Sequence, residues 1–270
     1  MTDITDTYLE RFGFGFSKRS VHVARTLMLT ELTDLLAAVP DAKEQQDYIT
    51  AIIDENCLSK KSFNNRKITA DQLIQLYTLD PQATIFRNLL YFWQRDEKGR
   101  PLLALLCATT RDSMLRKSAI VILETHSGEI ITKDSIEEYI ENQSPGRYSK
   151  VTLGSMARNI RSTWTQSGHL SGRINKMRLQ VEATPGTVAY ALLLGYIMGR
   201  RGTELFETEY VKILDCTRER AIELAEQAGI RGWIVFKRIG NVMEAIFPNL
   251  LTEQEVTWLS EQAEANIGKL

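Results

Sequence analysis

The sequence predicts a mainly α protein: a helical bundle over residues 1–126, then two smaller modules, 127–183 and 184–270, that each close on a short β-hairpin. Three observations carry this. Helix breakers are scarce, with 6 prolines and 16 glycines in 270 residues. Apolar residues in the first half recur at three- and four-residue spacings, which gathers them on one side of a helix. After Gly128 the grammar changes, and an order of helices followed by a hairpin occurs twice.

In the first half, residues 20–39 carry a helical rhythm of Val23, Leu27, Leu32, Leu35, Leu36 and Val39, and Pro40 stops it. A second helix is expected over 41–55, with Tyr48, Ile49, Ile52 and Ile53. The following CLSKKSFNNRK is a polar connector with four basic residues. Thr69 is placed as the N-cap of the next helix, and Pro81 as the start of another with Ile85, Leu89, Leu90, Phe92 and Trp93 on its apolar side. Residues 101–107 and 113–123 complete the bundle. Arg111, Asp112 and Arg116 look like a catalytic cluster, but charges spaced three to five apart on a helix read as a solvated or salt-bridged face.

Residues 128–183 give a short strand and helix, a Pro145–Gly146 turn, a longer helix and a hairpin. That is the order of a winged helix-turn-helix, in which a reading helix is followed by a two-stranded wing. Val151, Met156, Ile160 and Trp164 are expected on the inner side of the longer helix. The last third repeats the architecture. An apolar helix over 187–199 and a helix from Thr203 or Glu204 to Leu214 come first. A third, capped by Thr217, is closed by Gly229. Runs at 233–238 and 242–247, joined at Gly240, form the second hairpin. Thr252 and Glu255 mark a capping box for a final helix.

The distribution of charge points to function. The chain has 33 basic and 34 acidic side chains, a formal net charge of -1. Residues 142–181 contain no Asp or Glu but seven cations: Arg147, Lys150, Arg158, Arg161, Arg173, Lys176 and Arg178. Outside that window 26 basic residues face 34 acidic ones. A surface that grips phosphates needs such segregation, because nearby carboxylates repel the approaching backbone. Lys150, Thr152, Ser155, Arg158, Asn159, Arg161, Ser162 and Gln166 are the candidate DNA contacts on the helix, and Arg173, Lys176 and Arg178 on the wing. These side chains donate to phosphates or read base edges. Arg218, Arg220, Lys237 and Arg238 are auxiliary candidates in the last third, whose module is expected to have a structural or dimerising role. Lys18, Arg19, Lys60, Lys61, Arg66 and Lys67 are further basic spots. A docking face for an acidic protein in a larger complex is the alternative reading of the basic window, and a solvated surface is a third.

Several classes are disfavoured. Nucleotide P-loop, HExxH, GxSxG and EF-hand patterns are absent, and FGFGF is not a dinucleotide fingerprint. Asp134, Glu137 and Glu138 imitate a nuclease metal set but fall on a solvated helix face. Cys57, Cys107 and Cys216, like His22, His126 and His169, are too dispersed for a disulfide framework or a zinc site. No enzyme activity, metal or cofactor is expected. The apolar run 188–198 is shorter than the roughly 20 residues of a membrane span and reads as a core helix. The acidic amino-terminal residues have no signal-peptide character, so a cytoplasmic location is expected.

The segments RDSMLRKSAIVIL, ITKDSIEEYI and SKVTLGSMARNIRSTWTQSGHLSG, in that order, resemble the small BrxA-type proteins of bacterial BREX phage-defence systems. The resemblance spans roughly residues 64 to 173, and the module after Pro185 lies outside it. It implies a helical DNA-binding accessory protein without catalysis, encoded beside larger defence enzymes.

Overall fold

A computed structural model describes residues 4–16 and 20–267. It is mainly helical, with two small antiparallel sheets. In chain order the helices before the first strand are α1 (Ile4–Glu10), α2 (Leu29–Ala38), α3 (Gln45–Ile53), α4 (Phe63–Tyr77), α5 (Thr84–Arg95), α6 (Arg100–Arg111) and α7 (Ser113–Glu124). Then come β1 (Ile130–Ile131), α8 (Lys133–Gln143), α9 (Lys150–Gln166), β2 (Leu170–Ser171) and β3 (Lys176–Arg178). The rest is α10 (Pro185–Ile197), α11 (Glu209–Ile213), α12 (Arg218–Ile230), β4 (Val235–Ile239), β5 (Val242–Ile246) and α13 (Glu253–Ile267).

The chain forms two compact units. One comprises Gly13–Arg87 and Ala104–Gln180; the other comprises Met1–Phe12, Asn88–Leu103 and Val181–Leu270. Residues of the expected 1–126 bundle therefore contribute to both.

In the first unit, Leu32, Leu35, Tyr48, Ile52, Leu73, Leu76 and Tyr77 are buried in the helical part. The Tyr77 hydroxyl donates to the Leu27 carbonyl at 2.6 Å. The remainder is α7, β1, α8, α9 and the β2–β3 hairpin. The three strands form one sheet in the order β1-β3-β2, with Ile130 opposite Met177 and Leu170 opposite Arg178. Trp164 of α9 is fully buried, donates from Nε1 to Ser118 Oγ at 2.9 Å and stands edge-on to His169. The hairpin loop needs Gly172: its φ is +100°, and a Cβ there would lie 2.2 Å from the Asn175 carbonyl oxygen.

In the second unit, α10 is apolar all round, and every residue from Pro185 to Gly195 is buried, as the core-helix reading expects. Thr184 caps it, and Pro185 occupies its first turn. Among the described residues, no helix is long and apolar enough to cross a membrane. Thr217 caps α12 by accepting from the Arg220 amide, as expected. Strands β4 and β5 pair from Val235↔Ile246 to Ile239↔Val242. Gly240, at φ +59°, takes the first central position of the two-residue turn, where a type II′ geometry requires glycine. The Thr252 amide donates to Glu255 Oε2 and the Glu255 amide to Thr252 Oγ1, which is the expected capping box.

Several local expectations are corrected. Residues 20–28 are not part of α2, which starts at Leu29 after a 3-10 turn at Val21–Val23. Thr69 is a buried helical residue rather than a cap; Ser62 caps α4 by accepting from the Asn65 amide. The basic connector thus holds the first turn of a helix. Helix α5 starts at Thr84, not Pro81. The expected helix ending at Leu214 is a 3-10 turn at Gly202–Glu207 followed by the short α11. Helix α12 runs through Gly229 to Ile230, and the left-handed residue beyond it is Gly232. Val151 is 81% exposed. It precedes Met156 by five residues, about 140° around a helix, so it cannot share that residue's buried side.

Candidate nucleic-acid interface

Helix α9 is built by a cap and a stripe. Ser149 Oγ accepts from the Thr152 amide at 3.2 Å, and Met156, Ile160 and Trp164 are fully buried. The opposite side is a stripe of Val151, Ser155, Arg158 and Ser162, spaced four, three and four residues apart within an arc of roughly 60°. Val151 and Arg158 are exposed, and Ser155 and Ser162 half-buried. Arg158 donates to Ser155 Oγ at 3.0 Å, which holds the guanidinium along the stripe. Lys150 is exposed in the first turn, and Thr152, half-buried, has its hydroxyl 2.9 Å from that of Ser149.

The flanks of α9 are tied to the unit itself. On one flank, Asn159 Nδ2 donates to the His22 carbonyl at 2.9 Å. Gln166 accepts from the Leu29 amide and donates to Thr26 Oγ1. On the other flank, Arg161 is buried and donates to the carbonyl of Ile174 in the hairpin loop at 2.8 Å. This bond braces the hairpin against α9.

Arg178 is also buried, at 3% exposure. Its Nε donates to the Ile122 carbonyl at 2.8 Å and another guanidinium nitrogen donates to the Leu179 carbonyl. Ile122 lies in the last turn of α7, where unpaired carbonyls carry partial negative charge and a cation is favoured. Arg161 and Arg178 are buried, which corrects the expectation that they reach outward; Asn159 and Gln166 are half-buried, with their side-chain amides bonded inside the unit. Apart from the adjacent Leu179 carbonyl, these partners lie 13 to 140 residues away along the chain.

What remains on the surface includes three cations without an acidic partner. Lys150, Arg158 and Arg173 are exposed, and none of them makes an ion pair among the described residues. Arg147 is exposed with its guanidinium 5.2 Å from the ring centre of Tyr148. Lys176 is half-buried; burial, then the neighbouring Arg161 guanidinium, push its ammonium below the usual lysine value. Ile174, between Arg173 and Asn175 in the hairpin loop, is 79% exposed.

The auxiliary candidates behave differently. Arg218 pairs with Glu207 at 3.6 Å, Arg220 with Glu223 at 2.8 Å, Lys237 with Glu244 at 3.9 Å and Arg238 with Glu226 at 3.8 Å. Each of these four charges is matched within the unit. Of the remaining basic spots, Lys60 pairs with Glu31 at 3.0 Å and Arg66 donates to the Ile53 carbonyl. Lys61 and Lys67 are exposed. Lys18 and Arg19 lie outside the described residues.

Sequence reasoning missed one polar cluster. Asp112 is not on a solvated face: it is 2% exposed and caps α7 by accepting from the Met114 and Leu115 amides. Its other oxygen accepts from Ser20 Oγ and the Val21 amide and lies 2.9 Å from His22 Nδ1. His22 Nε2 is 2.8 Å from Thr163 Oγ1 on α9. Burial alone would raise the Asp112 pKa, but His22 and the converging hydrogen bonds outweigh it and hold the carboxyl at about 2. An acid, imidazole and hydroxyl in line imitate a nucleophilic triad. His22 and Thr163 have no accessible surface, so no substrate reaches them, and the cluster fixes α9 to the 20–23 segment. The Asp-Ser step at the start of α7 is a readable cap signal; the partner 90 residues away is not.

Among the described residues no cluster of three or more His, Cys, Asp or Glu side chains could hold a metal ion. Lys133 and Glu137 pair at 2.5 Å on α8. No model of a known protein family matches the chain, and no curated protein matches it.

Proposed function

We propose that this protein is a non-enzymatic, cytoplasmic nucleic-acid-binding protein that holds duplex DNA against α9 and the β2–β3 hairpin. In this reading residues 127–183 are a winged helix-turn-helix, with α9 in the major groove and the hairpin as its wing. The last third is a second winged-helix-like module. One observation carries the reading: Lys150, Arg158 and Arg173 stand exposed on one helix-and-hairpin element with no acidic partner.

Lys150 and Arg173 are the phosphate contacts. Arg158, held by Ser155, is the candidate for a base edge, since a guanidinium reads guanine bidentately. Ser162 and Thr152 supply hydroxyls to the backbone. The helix N-terminus adds unpaired amides, which favour phosphate. Arg161 acts indirectly, by fixing where the hairpin stands. The protein's act is positioning or recruitment within a larger assembly, and the resemblance to BREX accessory proteins supplies phage defence as its setting.

The test is a salt-titrated binding assay on duplex DNA with RNA as competitor. The expected result is affinity that falls steeply with salt, with a log–log slope that shrinks by about 0.9 for each phosphate-contacting cation removed. Absence of a mobility shift at physiological salt, together with co-purification of a partner protein lost on Lys150→Ala and Arg158→Ala, would instead favour a scaffold.

A further inference from the structure

We infer that the outer face of the β4–β5 hairpin is a self-association surface that packs on the same hairpin of a second copy of this chain. Alternate residues of paired strands point to opposite sides. The inner set includes Met243 and Ala245, which are buried. The outer set forms three rungs: Val235 opposite Ile246, Lys237 opposite Glu244, and Ile239 opposite Val242. The apolar rung next to the turn is unusually open, with Ile239 83% and Val242 74% exposed, and Val235 and Ile246 are 37% and 39% exposed. Four apolar side chains gathered on one small sheet face mark an interaction surface rather than scattered exposure.

The middle rung identifies the occupant. Lys237 and Glu244 are separated by 3.9 Å and both largely exposed, so the face carries one cation and one anion side by side. A polyanion or a strongly acidic partner gains nothing from a face of zero net charge. A lipid surface is opposed by charges set between the two apolar rungs.

A second copy fits. Stacking two such faces about a two-fold axis parallel to the strands reverses each rung. Lys237 then meets the second copy's glutamate, Glu244 meets its lysine, and apolar rungs meet apolar rungs. That self-complementarity is what a two-fold interface requires. Six side chains are fewer than a standard interface uses, so association is weak and reversible.

Sedimentation velocity on the full chain across a concentration series, without nucleic acid, tests this independently of DNA binding. The wild type shifts from monomer towards dimer as concentration rises. Lys237→Glu makes the face doubly acidic and Glu244→Lys makes it doubly basic, so each alone weakens self-association at least tenfold. An equimolar mixture of the two restores dimers as heterodimers, and the double exchange in one chain restores self-association. Ile239→Asp with Val242→Asp abolishes it, with the circular-dichroism spectrum unchanged. A wild type that stays monomeric throughout, or a dimer indifferent to both single charge reversals, overturns the inference. So does a mixture that fails to associate.

Discussion

The α9/β2–β3 pair and the α12/β4–β5 pair share a plan, a capped helix followed by an antiparallel hairpin, yet they manage charge in opposite ways. Around α9, the buried arginines donate to backbone carbonyls, and exposed Lys150, Arg158 and Arg173 have no acid beside them. Around α12, four cations each sit within salt-bridge distance of a glutamate. The hairpins differ in the same sense. The first exposes Arg173 beside Ile174, whereas the second exposes apolar rungs about a neutral pair. The plan alone therefore says little about a partner. The placement of carboxylates separates a polyanion-facing surface from one suited to another protein.

Four changes break or sharpen that contrast. The largest effect is expected from Asp112→Ala, which removes the buried anchor behind α9. Removing a buried carboxylate and orphaning the groups that donate to it costs about 3–4 kcal/mol, read by urea unfolding. The pH dependence follows from the same group. Its folded pKa, about 2, lies below the ordinary 3.8, so its stabilisation is fully present above pH 3.8 and is lost as pH falls through about 2. The wild type should lose roughly 2 kcal/mol across that window, and Asp112→Asn should flatten this part of the profile.

Next, reversing Lys150, Arg158 and Arg173 together to Glu should lower duplex affinity on the order of a hundredfold at moderate salt. All three side chains are exposed, so the melting temperature should change little. A smaller effect is expected from Arg161→Ala. Loss of a charge-assisted bond to Ile174 costs about 1–2 kcal/mol of stability. The loosened hairpin should weaken DNA binding only severalfold. Smallest is Arg218→Ala with Arg220→Ala, whose charges are already matched. Stability should move by less than about 0.5 kcal/mol, and DNA affinity by less than twofold. A large loss of affinity there would erase the contrast between the two surfaces.

The local grammar of this chain was legible where one residue and its near neighbours decide the outcome. Thr217 and the Thr252–Glu255 pair are caps because hydroxyl and carboxylate reach amides three residues away. Strands β4 and β5 were legible from alternation and from Gly240 at the turn. Caps failed where several candidates competed, as with Ser62 and Thr69 in one basic stretch.

The candidate site was only half legible. Charge segregation located α9, yet nothing local distinguishes Arg158, which is exposed, from Arg161, which is not. That difference depends on the Ile174 carbonyl in a loop 13 residues further on. Arg178 is likewise captured by Ile122, 56 residues before it, and His22 by Asp112, 90 residues after it. Burial of a cation is a property of distant carbonyls, and composition does not record them.

The most direct test of the central claim compares wild type with the Lys150, Arg158 and Arg173 triple reversal in a salt titration of duplex-DNA affinity. The account predicts a steep inverse dependence for the wild type and a much shallower, far weaker one for the variant. Affinity indifferent to salt, or unchanged by the triple reversal while the fold is intact, would contradict it.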